Sequence, residues 1–147
     1  MIKIQEIRQY IDAKKAVRES LYKTSLEIGV RIAAQAKLLA PVQEGQLRNS
    51  ISASTLKETK LLNDGDGKAS AKLDDSGLKH GEAYVGSNTD HTIFVEYGTI
   101  KMAAQPFLRP SAELITSGST VGDIVKKYGL EEMDKELKNR IEEKRTV

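Results

Sequence analysis

The sequence predicts an α+β fold in which a long N-terminal helix is followed by short strands and then by a helical C-terminus. Three observations predict it. From Ile4 to Leu39 there is no Pro and one Gly, while apolar residues recur mostly three or four apart. Between Leu47 and Gly86, segments compatible with strands are separated by Gly, Asp and Asn clusters. After Pro110 helical spacing returns, punctuated by Ser and Gly. Helix, strands and helices in separate runs belong to the α+β class. The length of 147 residues fits one domain over residues 1–147.

The first element is one long amphipathic helix, or two with a break near Asp12 to Lys15, with Ile4, Ile7, Ile11, Val17, Leu21, Ile28 and Ile32 as its apolar positions. A continuous helix from Ile4 to Leu39 would run about 54 Å at 1.5 Å per residue. That exceeds what one domain of this size needs, so part of it is expected to project or to pack on a neighbour. Ala33, Ala34, Ala36 and Ala40 allow close approach of another backbone, and Pro41 ends the helix.

Pro41 and Gly45 shape a tight loop, and Leu47 to Leu56 is expected to be a strand with Leu47, Ile51 and Ala53 as its apolar side. The turn-rich stretch 57–81 is expected to be a flexible hairpin or loop, with Ala69 to Leu73 as a candidate return strand. Glu82 to Gly86 then reads as a strand. It runs into the densest apolar stretch outside the N-terminal region, Gly86 to Thr99, which Gln105-Pro106-Phe107-Leu108-Arg109-Pro110 closes. Ile93, Phe94 and Tyr97 stand at i, i+3 and i+4 spacing on a short helix, which Gly98 stops with a left-handed cap. Pro106 and Pro110 make an extended lead into a new helix at about Pro110. The whole piece forms a structural clasp. Ser117-Gly118-Ser119 interrupts the helix that follows, Gly129 is expected to cap a second helical piece, and 119–147 forms a C-terminal helical extension. Leu130, Met133, Leu137 and Ile141 draw a narrow apolar seam there, suited to a single helical partner.

Composition narrows the function classes. The hydrophobic fraction is 39%, aromatics are 5% and charged residues reach 30%, which predicts a thin core and much solvated surface. A net charge of +2 is too small to nominate nucleic acid as a partner. Zero cysteines exclude disulfides, thiolate catalysis and zinc–thiolate sites, and suit a reducing cytoplasm. The N-terminus lacks an apolar leader segment, and no run is long enough to span a membrane.

Candidate chemistry is sparse. Asp64, Asp66 and Asp75 sketch a calcium loop, but Lys68 and Ala69 stand where a ligand and a Gly belong, so an ordinary hairpin turn is favoured. Gly65-Asp66-Gly67-Lys68 lacks the earlier Gly and the following hydroxyl of a phosphate loop. His91 and Glu96 stand five apart, on different faces of a helix, which argues against a catalytic or metal-binding pair. Glu96 is expected to be a structural ion pair with Arg48 or Arg109 rather than a catalytic carboxylate. Lys3, Lys14, Lys15 and Arg18 read as a solvated face, since no aromatic residue is interleaved to stack bases. No catalytic, cofactor-binding or metal-binding residue is assigned.

Four quoted pieces, in order, carry a resemblance. Ala40-Pro41-Val42 with Gly45-Gln46-Leu47-Arg48-Asn49-Ser50-Ile51 is similar to the signature of tail-completion and head–tail joining proteins of long-tailed phages and prophages. So are Val85-Gly86-Ser87, Val95-Glu96-Tyr97-Gly98-Thr99 and Gln105-Pro106-Phe107-Leu108-Arg109-Pro110. The likeness runs from about Ala16 to Ala112; Glu44 departs from the family's usual Thr, and the 57–81 stretch is longer than is common. The resemblance implies a long helix packed on a small, mostly antiparallel sheet, to which the 57–81 stretch adds the protruding hairpin read above from its residues. It also implies a non-enzymatic minor tail component that assembles as a ring at the head-proximal end of the tail. Partners would be copies of itself, tail tube or terminator proteins and head connector proteins. Neither a membrane nor sequence-specific nucleic acid would be a partner. The location would be the virion, with assembly in the host bacterial cytoplasm. The clasp and the Arg48 loop would fix the fold, while the N-terminal helix, the 57–81 hairpin and the C-terminal helix would contact neighbours. Pro41, Gly45, Leu47, Arg48, Ile51, Gly86, Phe94, Glu96, Tyr97, Gly98, Thr99, Pro106, Phe107, Leu108, Arg109 and Pro110 are the motif positions. Two other readings are a small cytoplasmic enzyme using Glu96 and His91, and a regulatory module whose C-terminal seam docks a partner helix.

Overall fold

A row of small residues on the first helix determines how the chain packs. The computed structural model describes residues 4–41, 45–56, 59–61 and 77–145. Helix α1 (Ile4–Leu39) is one continuous rod of 36 residues with no break near Asp12. Its C-terminal half lies on a three-stranded antiparallel sheet of order β2-β1-β3, formed by β1 (Ile51–Thr55), β2 (Thr59–Leu61) and β3 (Ala83–Ser87). Ala53 pairs with Val85 and Ser52 with Gly86. A long helix on a small antiparallel sheet with a helical C-terminus is the α+β arrangement expected.

The face α1 turns to the sheet is not its large apolar stripe. Ala33, Ala36 and Ala40 are buried with Ile51, Ala53 and Phe107 in the core, and Gly29 continues their row. A Cβ on Gly29 would stand 3.3 Å from the Ala53 Cβ and 3.4 Å from the Ala83 Cβ, so helix and sheet meet at their minimum separation. At about 100° per residue, Val17, Leu21, Ile28, Ile32 and Leu39 instead fall within an arc of about 60°, well away from the sheet. Val17, Leu21 and Leu39 are exposed, and Ile28 and Ile32 are half-buried. Periodicity marks large side chains, whereas close helix–sheet approach selects small ones.

Other expectations need correction. Leu47 to Ser50 is helical: Gly45 takes φ +72°, its carbonyl accepts Asn49 N–H at 2.9 Å, and α2 (Gln46–Ser50) places half-buried Leu47 against the core before β1 starts at Ile51. β1 is buried along its whole length, not on one side only. The new helix begins at Leu108, with Pro110 inside the first turn of α4 (Leu108–Ser117). Gly129 caps nothing. From α5 (Thr120–Ile124) the backbone runs through a π-helical segment, Val125–Glu131, straight into α6 (Glu132–Arg145). The Tyr128 and Gly129 carbonyls of that widened segment accept the Ser20 hydroxyl at 3.3 and 2.6 Å, and a Cβ on Gly129 would lie 3.6 Å from Thr24 Oγ1. The bare Gly lets the C-terminal helices fold back along the N-terminal half of α1. Lys23 there meets Glu132 at 2.9 Å, and Arg140 reaches Asp12 at 4.0 Å. The helical partner of the C-terminal seam is therefore the chain's own α1, with Met133 and Leu137 half-buried and Leu130 and Ile141 exposed.

Most of the stretch 57–81, including the candidate strand Ala69 to Leu73 and the Asp64 to Asp75 loop, lies outside the described residues. Within it, Thr59–Leu61 pairs with β1, Leu78 is buried, and Tyr22 hydrogen-bonds His80 Nδ1. No described helix is long and apolar enough to cross a membrane.

Two glycines give opposite expectations. Gly98 has φ +76°, and a Cβ there would stand 2.7 Å from the Ala104 amide nitrogen and 2.8 Å from the Met102 carbonyl oxygen. Gly98→Ala should cost about 3 kcal/mol in urea unfolding, from backbone strain plus overpacking. Gly122 lies inside α5, and a methyl group added there would meet nothing within 4 Å. Gly122→Ala should gain up to about 1 kcal/mol in the same measurement.

Candidate functional site

The clasp is built around a carboxylate that ends one helix and begins another. Helix α3 (His91–Tyr97) buries Thr92 and Glu96 one turn apart and leaves the opposite side in solvent. At its start, Thr92 donates to Ser87 Oγ at 2.7 Å, Thr89 Oγ1 lies 3.0 Å from Thr92 Oγ1, and Ser50 hydrogen-bonds Ser87. This hydroxyl chain ties α2, the end of β3 and α3 together. At its far end the Gly98 amide donates to the Phe94 carbonyl at 2.8 Å and the backbone reverses. Thr99 and Met102 then pair across a tight turn with Ile100 and Lys101 at its tip, and the Gln105 amide returns to the Val95 carbonyl at 2.8 Å.

Glu96 closes the loop. Its Oε2 accepts the Phe107 and Leu108 amides at 2.8 and 3.0 Å, and its Oε1 accepts the Arg109 amide at 3.0 Å. A helix leaves four amide groups at its N-terminus without internal partners. In α4 those positions are Phe107, Leu108, Arg109 and Pro110; three bind Glu96, and Pro110 has no N–H to satisfy. Thus Pro110 is tolerated inside the first turn, and the negative charge also faces the positive end of the helix. Phe107 drops into the core with no exposed surface, and Leu108 packs beside it. Burial pushes the Glu96 carboxyl up, but the three amides and the nearby Arg109 charge outweigh it and hold it below its ordinary value. The partners of Glu96 are chiefly backbone amides, not the single Arg expected. Arg109 instead sets its guanidinium 5.3 Å from the centre of the Tyr97 ring.

The other motif positions surround this clamp. Pro41, Gly45 and Leu47 line a groove of about 260 Å³ with Gln46, His91, Val95, Met102 and Gln105. Arg48 is half-buried in α2, Ile51 is fully buried, Gly86 lies in β3, and Pro106 is exposed. His91 is exposed at the first residue of α3. Among the described residues no group of three or more His, Cys, Asp or Glu side chains is placed to hold a metal.

The clasp also carries an apolar face. Ile93 is 66% exposed, Phe94 54% and Tyr97 66%, and the side chain of Ile100 stands wholly in solvent, with Met102 beside the same turn. Helical spacing identified the first three, but not that they face outward. Ile100 was missed altogether, because nothing in Thr99-Ile100-Lys101-Met102 marks a two-residue turn. The hydroxyl chain was also missed; its sequence signal is the clustering of Ser87, Thr89 and Thr92 just before the helix. An anchored backbone that displays large apolar groups is the form of a recognition surface.

No family model matches the chain, and neither a curated protein nor a solved structure matches it.

Glu96→Gln should test the clamp without changing its shape. An amide offers one oxygen to three donors and turns its own NH₂ towards the others, at a cost of about 2 kcal/mol near neutral pH. Because the folded carboxyl titrates below its ordinary value of 4.5, its stabilisation is full above that value and is lost as pH falls below it. Urea midpoints against pH should therefore drop through that window for the native chain and stay flatter for the variant.

Proposed function

We propose that this chain is a non-enzymatic structural protein that assembles with copies of itself into a ring, as a tail-completion or head–tail joining component of a long-tailed phage or prophage. Two features support the phage assignment: the four ordered sequence pieces, and the structural roles found at their positions. Gly98, Glu96, Phe107 and Pro110 all serve to hold one rigid clasp, as motif positions of a scaffold would. The observation that carries self-assembly is a pair of separate apolar surfaces. One is the clasp face of Ile93, Phe94, Tyr97 and Ile100; the other is the α1 stripe of Val17, Leu21 and Leu39.

A ring requires a heterologous contact, in which one face of a subunit meets a different face of the next. The clasp face seated on the α1 stripe of a neighbour supplies such a contact. It revises the assignment made from sequence, in which the clasp only fixed the fold and the C-terminal helix met neighbours. That helix is engaged with α1 of its own chain. Tail tube or terminator proteins and head connector proteins remain the proposed partners above and below the ring, in the virion. The alternative of an enzyme using Glu96 and His91 gains no support from a carboxylate whose two oxygens already accept three backbone amides.

Native mass over a concentration series, with negative-stain images of large species, tests the ring. Phe94→Ser with Ile100→Ser, and separately Val17→Ser with Leu39→Ser, change exposed groups and should leave the fold intact. Each variant alone should be monomeric. Mixed together they should form dimers and nothing larger, because one intact clasp face meets one intact stripe. Continued ring formation by either variant would refute this interface.

A further inference from the structure

A net charge of +2 hides a segregated arrangement on the N-terminal half of α1. Arg8, Lys14, Lys15 and Arg18 are all exposed. At about 100° per residue they fall within an arc of about 120°, with Ile11 in its middle. The side that meets the C-terminal helices, marked by Ala16, Ser20 and Lys23, centres about 150° from Ile11, with Asp12 and Glu19 between the two sides. Asp12 is turned to Arg140, 4.0 Å away. None of the four cations forms an ion pair with a carboxylate among the described residues, whereas Lys23, Arg31 and Arg140 each do. The four therefore form a straight cationic stripe about 15 Å long on a continuous helix.

We propose that this stripe binds the phosphate backbone of double-stranded nucleic acid without reading its sequence. Charge complementarity argues for a polyanion. A duplex segment of about 15 Å carries about nine phosphates, more than enough to engage four cations. The absence of an exposed aromatic side chain among the described residues of this face argues for duplex over single strands, whose binding relies on stacking. Ile11 shares its arc with the four cations and does not stand on a separate apolar face, as a helix lying in a lipid interface requires, so an anionic membrane fits less well. Base readout would need side chains that enter a groove and pair with base edges; four flexible cations along a helix contact phosphates instead. The proposal stands on charge placement alone and does not depend on ring formation.

Fluorescence anisotropy of a labelled duplex of random sequence, titrated with the full chain between about 50 and 200 mM salt, tests it. Four contacts should give a slope of log K against log salt of about −3.6, and so weaken binding about 150-fold across that range. Lys14→Gln, Lys15→Gln and Arg18→Gln together should reduce the slope to about −0.9. A control carrying Lys126→Gln, Lys135→Gln and Lys138→Gln removes as many exposed charges from the C-terminal helices and should keep the native slope. Circular dichroism checks that both variants fold. Absence of duplex binding at the low-salt end would overturn the proposal, as would equal losses in the two variants. Tighter binding to vesicles of anionic phospholipid than to the duplex would also overturn it.

Discussion

The Glu96 carboxylate is the constraint on which the clasp depends. One side chain satisfies three amides at the start of α4 while its own backbone sits in α3, so the two helices cannot separate without orphaning charged and polar groups together. Pro110 makes the arrangement complete by removing the fourth donor. The position of Phe107 follows from this clamp: with its amide fixed, its ring is delivered into the core between α1 and β1. Truncating such a ring costs about 3–5 kcal/mol in other proteins, which is a large part of a small domain's stability. The outward face of Ile93, Phe94 and Tyr97 is the counterpart of the same geometry. Because Glu96 and Thr92 must point inward, the residues on the other side of a seven-residue helix must point out.

Helix α1 serves the rest of the molecule in two different ways. Its C-terminal half meets the sheet through Ala and Gly, where dispersion attraction between closely approaching backbones replaces the burial of large side chains. Its N-terminal half meets α6 and the π-helical segment largely through polar groups: Ser20 on two carbonyls, Lys23 on Glu132, and Arg140 near Asp12. The Lys23–Glu132 contact raises the lysine and lowers the carboxyl, each chiefly through their mutual hydrogen bond. Both groups are partly solvated, and such pairs contribute little net free energy. The C-terminal helices are thus held in register more than they are held down. Leu26 is buried and Val30 packs on the core, whereas Val17, Leu21 and Leu39 stay exposed and are left for other contacts.

Much of this was legible in the sequence, for physical reasons that can be named. The α1 boundaries follow from an unbroken run free of Pro that stops at Pro41, and Gly98 had to be a glycine because the chain reverses there with positive φ. The clasp was recognisable as a unit, and Glu96 as its structural acid. What failed was orientation and register. Apolar periodicity located the stripe of Val17 and Leu21 but not the direction it faces; the small residues Ala33, Ala36 and Ala40, expected from sequence to allow close backbone approach, are the ones that meet the sheet. Gly129 has the character of a cap, yet its actual use is close approach to Thr24 across the molecule, a long-range contact that no local pattern encodes. The usual preference of Pro for N1 puts the helix start at about Pro110; the capping carboxylate eleven residues before Phe107 moves it to Leu108.

The most direct test of this account is hydrogen–deuterium exchange at the three amides held by Glu96. If the carboxylate is the clamp described, the Phe107, Leu108 and Arg109 amides should exchange at neutral pH only through global unfolding, as slowly as the Ile51 and Ala53 amides of β1. Exchange of those three amides at the rate of an open loop, while β1 stays protected, would contradict it.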